Sequence, residues 1–412
     1  MTTTPKDLPL AGVRVLELSQ IMAGPICGLM LADMGAEVIK IEKFPAGDDS
    51  RGYARPGDPG LAPSFLMLNR GKRSVAVDIR QPAGQAVIRR LVGSCDIVTE
   101  NYRRGKLEAL GLGYEQLRAI NPQLVYCSIT GYGPNGPLSD KGGFDLVLQA
   151  FSGLISVTGS IDGELAKPGN SVADINAGIL AAMGCLAAYI KRLRTGQGGK
   201  VETSLLQASL QQMYWFAAAY FSDGSVAKPM GTAHPLIAPY QTFRCGEGAI
   251  ALGGGNQANW QRITEVLGHP EWLQEARFRT GRDRLGAQRA LEALITEALA
   301  AHPAAYWIER FDQAGVPVGP VHDVGQALEH AQSRAIGMVV EVDHAEGGHT
   351  RSLGLPIHFD GEAPFARSAA PRIGEQTREV LAEFGFDADE IAALEAAKAV
   401  CQYQPEVEGA PG

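Results

Sequence analysis

Apolar residues in the first two hundred positions fall into short runs, separated by stretches in which they recur every three or four places. Val13-Arg14-Val15-Leu16-Glu17-Leu18, Glu37-Val38-Ile39-Lys40-Ile41-Glu42, Ser74-Val75-Ala76-Val77-Asp78-Ile79, Asp96-Ile97-Val98-Thr99-Glu100 and Leu124-Val125-Tyr126-Cys127-Ser128-Ile129 carry the β-branched and aliphatic side chains of strands. Stretches from about Pro25 to Met34, from Ala83 to Val92 and within Lys106 to Ile120 have helical spacing. Strands alternating with amphipathic helices predict an α/β fold with a doubly wound parallel sheet, Rossmann-like in outline. Ligands of such sheets bind beyond the carboxyl ends of the strands. The segments after Leu18, Glu42, Ile79, Glu100 and Ile129 are therefore the places to look for a site.

The alternation breaks near Gly196-Gln197-Gly198-Gly199, and a long apolar helix is expected from about Leu205 to Phe221. Pro239 to Cys245, the turn Gly246-Glu247-Gly248 and Ala249 to Leu252 read as a hairpin. Helical patterns follow over Asn259 to Leu267, Arg284 to Ala301 and Ala304 to Ala314, so a smaller α+β domain is expected over about 226–325, after a linker helix within 201–225. The tail predicts a strand over Met338 to Val342, a turn at Gly347-Gly348 and a helix from about Glu375 to Phe384.

Composition narrows the function classes. A chain of 412 residues, 45% apolar and 20% charged, has the makeup of a globular protein with more than one domain. The net charge of −8 argues against a nucleic-acid surface but allows a local basic pocket. The start has no signal architecture, and the most apolar stretch, Ile179 to Ile190, is short for a membrane span; a cytoplasmic protein without nucleic-acid or membrane partners is expected. Six scattered cysteines lack C-x-x-C spacing and read as buried thiols. All eight histidines lie after residue 233 without an H-x-x-x-H pair, so no metal is expected.

Three constellations carry candidate chemistry. The first strand–helix–strand unit has Gly24-Pro25-Ile26-Cys27-Gly28 and then Glu42, but no G-x-G-x-x-G, and Lys43 after Glu42 suits a phosphate better than a ribose; NAD is disfavoured. Basic residues near three strand ends, Lys43, Arg80 and Arg103, are placed to converge on a polyanion, or else to rim the sheet as solvated charge. Asp174 follows the loop Lys167-Pro168-Gly169-Asn170-Ser171-Val172-Ala173 and precedes an almost uncharged helical stretch. There it reads either as a helix N-cap or as a carboxylate that the helix end keeps ionised for nucleophilic attack.

The ordered set of Leu10 to Glu17, Ala23-Gly24-Pro25, Gly35 to Glu42, Asn69 to Ser74, Val98 to Gly105, Gly131 to Pro137, Gln149 to Gly153 and Thr195 to Gly198 resembles the family III CoA-transferases, the formyl-CoA and carnitine CoA-transferase group. The likeness continues through Gly315 to Pro320 and Gly374 to Thr377. It implies an interlocked homodimer in which 1–200 and 326–412 share a large CoA-binding domain. It implies Asp174 as a nucleophile forming an acyl anhydride and then an aspartyl-CoA thioester, with CoA thioester as substrate and no tightly bound cofactor. CoA should lie across Met22, Ala23, Lys43, Val77, Asp78, Ile79, Arg80, Asn101, Tyr102 and Arg103, with Asp145 near the thioester. Oxyanions on the way need backbone donors and exclusion of water; Gly253-Gly254-Gly255 is either a mobile loop or a strand-end turn.

Departures from the formyl-CoA transferases argue against a formyl-CoA and oxalate pair: Met22 replaces a Gln, Ala109 an Arg, and Gly142-Gly143-Phe144-Asp145 a Lys-containing run. The α-methylacyl-CoA racemases are also similar, but they need a His where Phe144 stands and an acid where Asn256 stands, and Phe cannot shuttle a proton. The similarity of Gly231 to Trp260 to dicarboxylate-handling relatives points to succinyl-CoA or a related dicarboxyl-CoA as donor and a small carboxylic acid as acceptor.

Overall fold

The computed structural model describes residues 8–54, 62–343, 349–365 and 368–403. The chain divides into two compact units, one of 1–154, 168–221 and 331–412, the other of 155–167 and 222–330. The segment Ile155–Lys167, read with the first part of the sequence, thus belongs to the second unit.

The first unit is built on strands β1 (Arg14–Leu18), β2 (Glu37–Glu42), β3 (Lys72–Val77), β4 (Ile97–Glu100), β5 (Val125–Thr130) and β6 (Gly199–Ser204), parallel and in the order β3-β2-β1-β4-β5-β6. A two-residue strand, Val400–Cys401, adds antiparallel to β3. The strands are buried on both faces, which is why they read as near-continuous apolar runs. Val15, Val38, Ile97 and Val125 face one core, while Leu16, Ile39, Val75 and Val98 face the other, following the two-residue period of a strand. Fully burying each such side chain contributes about 1.5–3 kcal/mol, so both layers are needed.

Up to Gln211 its helices are α1 (Ala23–Asp33), α2 (Pro63–Asn69), α3 (Pro82–Val92), α4 (Lys106–Ala109), α5 (Tyr114–Ile120), α6 (Asp145–Phe151), α7 (Val172–Thr195) and α8 (Leu205–Gln211), and the tail adds helices over Thr377–Glu383, where one was expected, and Ala388–Ala396. The first and seventh pack together in one core, through Cys27, Leu31, Ala177 and Ala181. At their crossing a Cβ on Gly178 would lie 2.6 Å from the Ala23 carbonyl oxygen and 2.8 Å from Ile26 Cβ. Gly178→Ala should therefore lower stability by about 1–3 kcal/mol through overpacking, although alanine is the better helix former. Urea denaturation checks the sign.

At 24 residues α7 is longer than the Ile179–Ile190 stretch read as short for a membrane span, and is long and apolar enough to cross a membrane by length and composition. One face of it, Ala173, Ala177, Ala181, Ala182 and Cys185, is packed in the core.

Several elements differ from the sequence reading for local reasons. The third strand starts at Lys72 because that lysine is buried, its Nζ 2.9 Å from Glu17 Oε2; Asp78, Ile79 and Arg80 lie past its end in a turn. The sixth strand was hidden by Lys200 and Glu202, which pair with each other at 2.7 Å on the sheet edge. The apolar helix after it is two helices, α8 and Tyr214–Asp223. The tail hairpin pairs Val339–Asp343 with His349–Leu353; its expected turn at Gly347-Gly348 lies outside the described residues.

The second unit holds the antiparallel sheet Tyr240–Arg244, Ala249–Gly253 and Val318–Pro320, with helices over Gln257–Leu267, Gly281–Gly286, Gln288–Leu299 and Ala304–Gln313. Its core is Trp260, Phe278, Ile295 and Phe311. Arg284, 1% exposed, is satisfied there by the carbonyl oxygens of Ala238 and Phe278 and by Gln257 Oε1.

Candidate active site

Strand order reverses between β1 and β4, so the chain leaves these neighbours in opposite directions and a crevice opens at their carboxyl ends. A cleft of about 300 Å³ lies there, walled by Gln20–Ala23 after β1, Asn101–Arg104 and Lys106 after β4, Thr130 and Gly131 after β5, and Lys141–Phe144. Asp174 opens onto it from the first turn of α7.

Of the residues expected at the site, Met22, Ala23, Asn101, Tyr102, Arg103 and Asp174 line the cleft. Asp145 does not line it but supports it from beneath. Lys43, Val77, Asp78, Ile79 and Arg80 are absent from the wall. The expected convergence is corrected for Arg80, which does not meet Arg103 in this cleft. Lys43 is ion-paired with Asp49, itself a residue of the cleft wall. The third strand sits two places from β1, about 10 Å away, and Arg80 folds back on its own neighbour, with Nε 2.8 Å from Asp78 Oδ1. That guanidinium holds the Asp78 carboxyl down at about 2.

The helix-cap reading of Asp174 is corrected too. Ser171 is the N-cap residue and makes no side-chain cap; Asp174 is the third residue inside the helix. The cap comes from Asp145, the first residue of α6, whose Oδ1 accepts the backbone N–H groups of Ala173 at 3.0 Å and Asp174 at 3.3 Å. Its Oδ2 accepts from Nε2 of the fully buried Gln149 at 2.6 Å.

With the helix-end donors taken, Asp174 is not held ionised as the helix-end argument expected. Burial first, and the neighbouring Asp145 charge second, push its carboxyl up to about 7. Asp145→Asn keeps an acceptor for the two N–H groups but removes the charge, so the pKa of Asp174 should fall. Asp145→Ala leaves the N–H groups without that acceptor and should cost about 0.5–2 kcal/mol of stability. A pH–rate profile checks the first, thermal melting the second.

The cleft is basic in an acidic protein. Arg103, Arg104, Lys106 and Lys141 face two carboxylates, Asp49 and Asp174. Arg104 reaches Ser139 Oγ at 2.8 Å and Asp140 at 3.6 Å. Arg103, Lys106 and Lys141 have no carboxylate partner among the described residues; Lys106 lies over the Tyr102 ring and Lys141 over Tyr132. The Arg103 guanidinium packs on Gly142, where a Cβ would lie 2.9 Å from Nε. Phe144, 69% exposed, occupies the position beside Asp145 where proton-transfer chemistry would need an acid or base. Asn256, the other such position, caps a helix in the second unit through the N–H of Asn259.

Sequence reading missed Ile21, Asp49, Lys106 and Lys141. The basic run Arg103-Arg104-Gly105-Lys106 carried a signal for one of them; nothing in the local pattern marked the others.

A doubly wound α/β unit whose switch-point cleft holds a perturbed carboxylate and cations without carboxylate partners among the described residues defines an enzyme fitted to an anionic substrate. Residues 10–377 match the family model for CoA-transferase family III, and the chain belongs to this family of CoA-transferases. It is 36% identical over 375 residues to the succinyl-CoA:glutarate CoA-transferase of Mus musculus, covering 91% of this chain and 86% of that protein. It is 35% identical over 396 residues to the succinate–glutarate CoA-transferase of Agrobacterium fabrum, covering 93% and 98%. A crystal structure of a CAIB/BAIF family protein from Brucella suis superposes with a TM-score of 0.82 at 36% identity, covering 92% of this chain and 99% of that one.

Proposed function

We propose that the protein moves CoA from succinyl-CoA to a small dicarboxylic acid, with Asp174 as nucleophile. The observation that carries this is a carboxyl raised by burial sharing one cleft with three cations that have no acid partner among the described residues. Relatives named for succinyl-CoA with glutarate, D-citramalate and mesaconate support the donor and acceptor class. The cations suit the phosphates of CoA, which fits a chain whose other carboxylates outnumber its bases.

The chemistry follows from the groups present. An Asp174 carboxylate oxygen attacks the thioester carbonyl, the C–S bond breaks, and CoA leaves as thiolate with an acyl-aspartyl anhydride remaining. The thiolate then attacks the aspartyl carbonyl, releasing the donor acid and leaving an aspartyl-CoA thioester. The acceptor carboxylate repeats both steps in reverse order and leaves with CoA, restoring the Asp174 carboxylate. No proton is gained or lost overall, so a cleft lined by Phe144 rather than a proton shuttle is adequate, and neither metal nor bound cofactor is required. α-Methylacyl-CoA racemisation, the alternative chemistry on this fold, is disfavoured by the same residue.

The exposed face of α7 supports a homodimer. Ile179, Met183, Ile190 and Leu193 follow helical spacing and are each more than 40% exposed, an apolar stripe suited to a second copy. Sedimentation should give twice the chain mass.

The functional test is purified protein with succinyl-CoA and a panel of mono- and dicarboxylates, with CoA esters read by mass spectrometry. New CoA esters of dicarboxylates are expected; no exchange with any acid would sink the reading.

A further inference from the structure

Behind one wall of the cleft lies a cluster of buried charge that the transfer chemistry does not use. Glu17, Lys40 and Asp48 are each 3% exposed or less. Lys40 Nζ donates to Glu17 Oε1 and to the Ser19 carbonyl oxygen, both at 2.9 Å, and lies 2.8 Å from Asp48 Oδ2. Asp48 accepts the backbone N–H of Ile21 with both oxygens, at 3.0 and 3.2 Å. Gln20, between these anchors, is clamped by Asn101, whose Oδ1 accepts its N–H at 3.0 Å and whose Nδ2 donates to its carbonyl oxygen at 2.8 Å.

The clamped segment is strained. Ile21 has φ 70°, the left-handed region that a β-branched side chain avoids. Such a conformation persists only where its surroundings over-determine it, and it clusters at functional sites. A buried ion cluster is a poor route to stability alone, because apolar side chains of equal volume commonly serve as well. Apolar groups could not, however, accept the Ile21 N–H. The turn at Ile21 also aims the start of α1, where Ala23 and Gly24 begin the helix with N–H groups that have no intrahelical acceptor.

We propose that Asp48, anchored by Lys40, is a positioning residue for CoA transfer: it holds Ile21 left-handed and so shapes the Gln20–Ala23 wall that receives the CoA thioester. This rests on the reading of the cleft as the acyl-CoA site. Asp48 touches no substrate on this account and acts only through the Ile21 backbone. Asn101, expected to touch CoA, is by its bonds first a clamp on that same wall.

The experiment measures CoA affinity by calorimetry and thermal stability for wild type, Asp48→Asn, Ile21→Gly and the double variant. Asp48 Oδ1 also accepts the N–H of Ser50 at 2.9 Å; Asn keeps the shape of Asp48, but its one oxygen cannot serve Ile21, Ser50 and Lys40 together. Asp48→Asn should weaken CoA binding about tenfold and lower Tm. Glycine enters the left-handed region without strain. The double variant should therefore bind CoA within about threefold of Ile21→Gly alone while keeping the lowered Tm, a split that a merely structural role would not produce. Wild-type affinity in Asp48→Asn would overturn the proposal, and so would a full tenfold loss persisting in the glycine background. If Asp48→Asn does not fold, Ile21→Pro replaces it, since proline cannot take a positive φ and leaves the buried charges in place; unchanged CoA affinity there overturns the proposal as well. A wild-type protein that does not bind CoA overturns the underlying reading of the cleft, and with it this one.

Discussion

Asp174→Asn protein should transfer CoA at less than about one-thousandth of the wild-type rate at pH 8 and yet melt at a higher temperature than wild type. The first half follows from chemistry: an amide offers no carboxylate oxygen to attack a thioester and cannot form an anhydride. The second half follows from proton linkage. The carboxyl of Asp174 is raised from 3.8 to about 7, so the folded protein binds this proton more tightly than the unfolded chain does. Stability from this group is greatest below about pH 4, falls as pH rises towards 7, and stays low above it. Removing the ionisable group removes that loss; allowing for the partial exposure of the side chain, the gain is about 1–2 kcal/mol at pH 8. A pure capping residue would behave oppositely, with activity kept and stability lost. The same linkage predicts that wild-type activity rises with pH and levels off above about 7, because attack needs the ionised form.

Arg103→Ala should raise KM for acyl-CoA by about 10- to 100-fold while changing kcat little, the loss expected when one charge-assisted contact to a phosphate is removed. Arg103 has no carboxylate partner among the described residues, so its truncation strands no buried charge, and the fold should be unaffected. Arg103→Lys should recover only part of the affinity, since an ammonium cannot make the paired contact of a guanidinium. Arg80→Ala, by contrast, should leave KM near wild type, because that side chain is 78% exposed and bound to Asp78 away from the cleft. Steady-state kinetics across a salt series separates the two: raising salt should raise wild-type KM more steeply than that of Arg103→Ala.

How far the molecule could be read beforehand depended on the kind of signal. Five of the parallel strands were legible because burial on both faces makes them continuous apolar runs, and the hairpin of the second unit because Gly246-Glu247-Gly248 separates two strands that alternate buried and more exposed positions. Lys72 and Lys200 hid strand residues for opposite reasons, one as a buried charge neutralised by Glu17, the other as an exposed edge residue. At the site, Asn101, Tyr102 and Arg103 were reachable because they directly follow β4 at the switch point. The grouping of Arg80 with them failed because strand order is not chain order: β3, which precedes it, lies on the far side of β2; Lys43 follows β2, beside β1, and pairs with Asp49 of the cleft wall. The elevated carboxyl of Asp174 was illegible for a related reason. It depends first on burial by residues distant in sequence, and second on the charge of Asp145, 29 residues away, which also takes the helix-end donors.

The central claim is covalent catalysis by Asp174, and one measurement addresses it most directly. Wild-type protein is incubated briefly with succinyl-CoA and no acceptor, quenched with hydroxylamine, digested and mapped by mass spectrometry. An aspartyl-CoA thioester or anhydride is converted to a hydroxamate, which should appear on Asp174 alone and be absent from Asp174→Asn. A hydroxamate on another carboxylate, or none in protein that is turning over, would contradict the account.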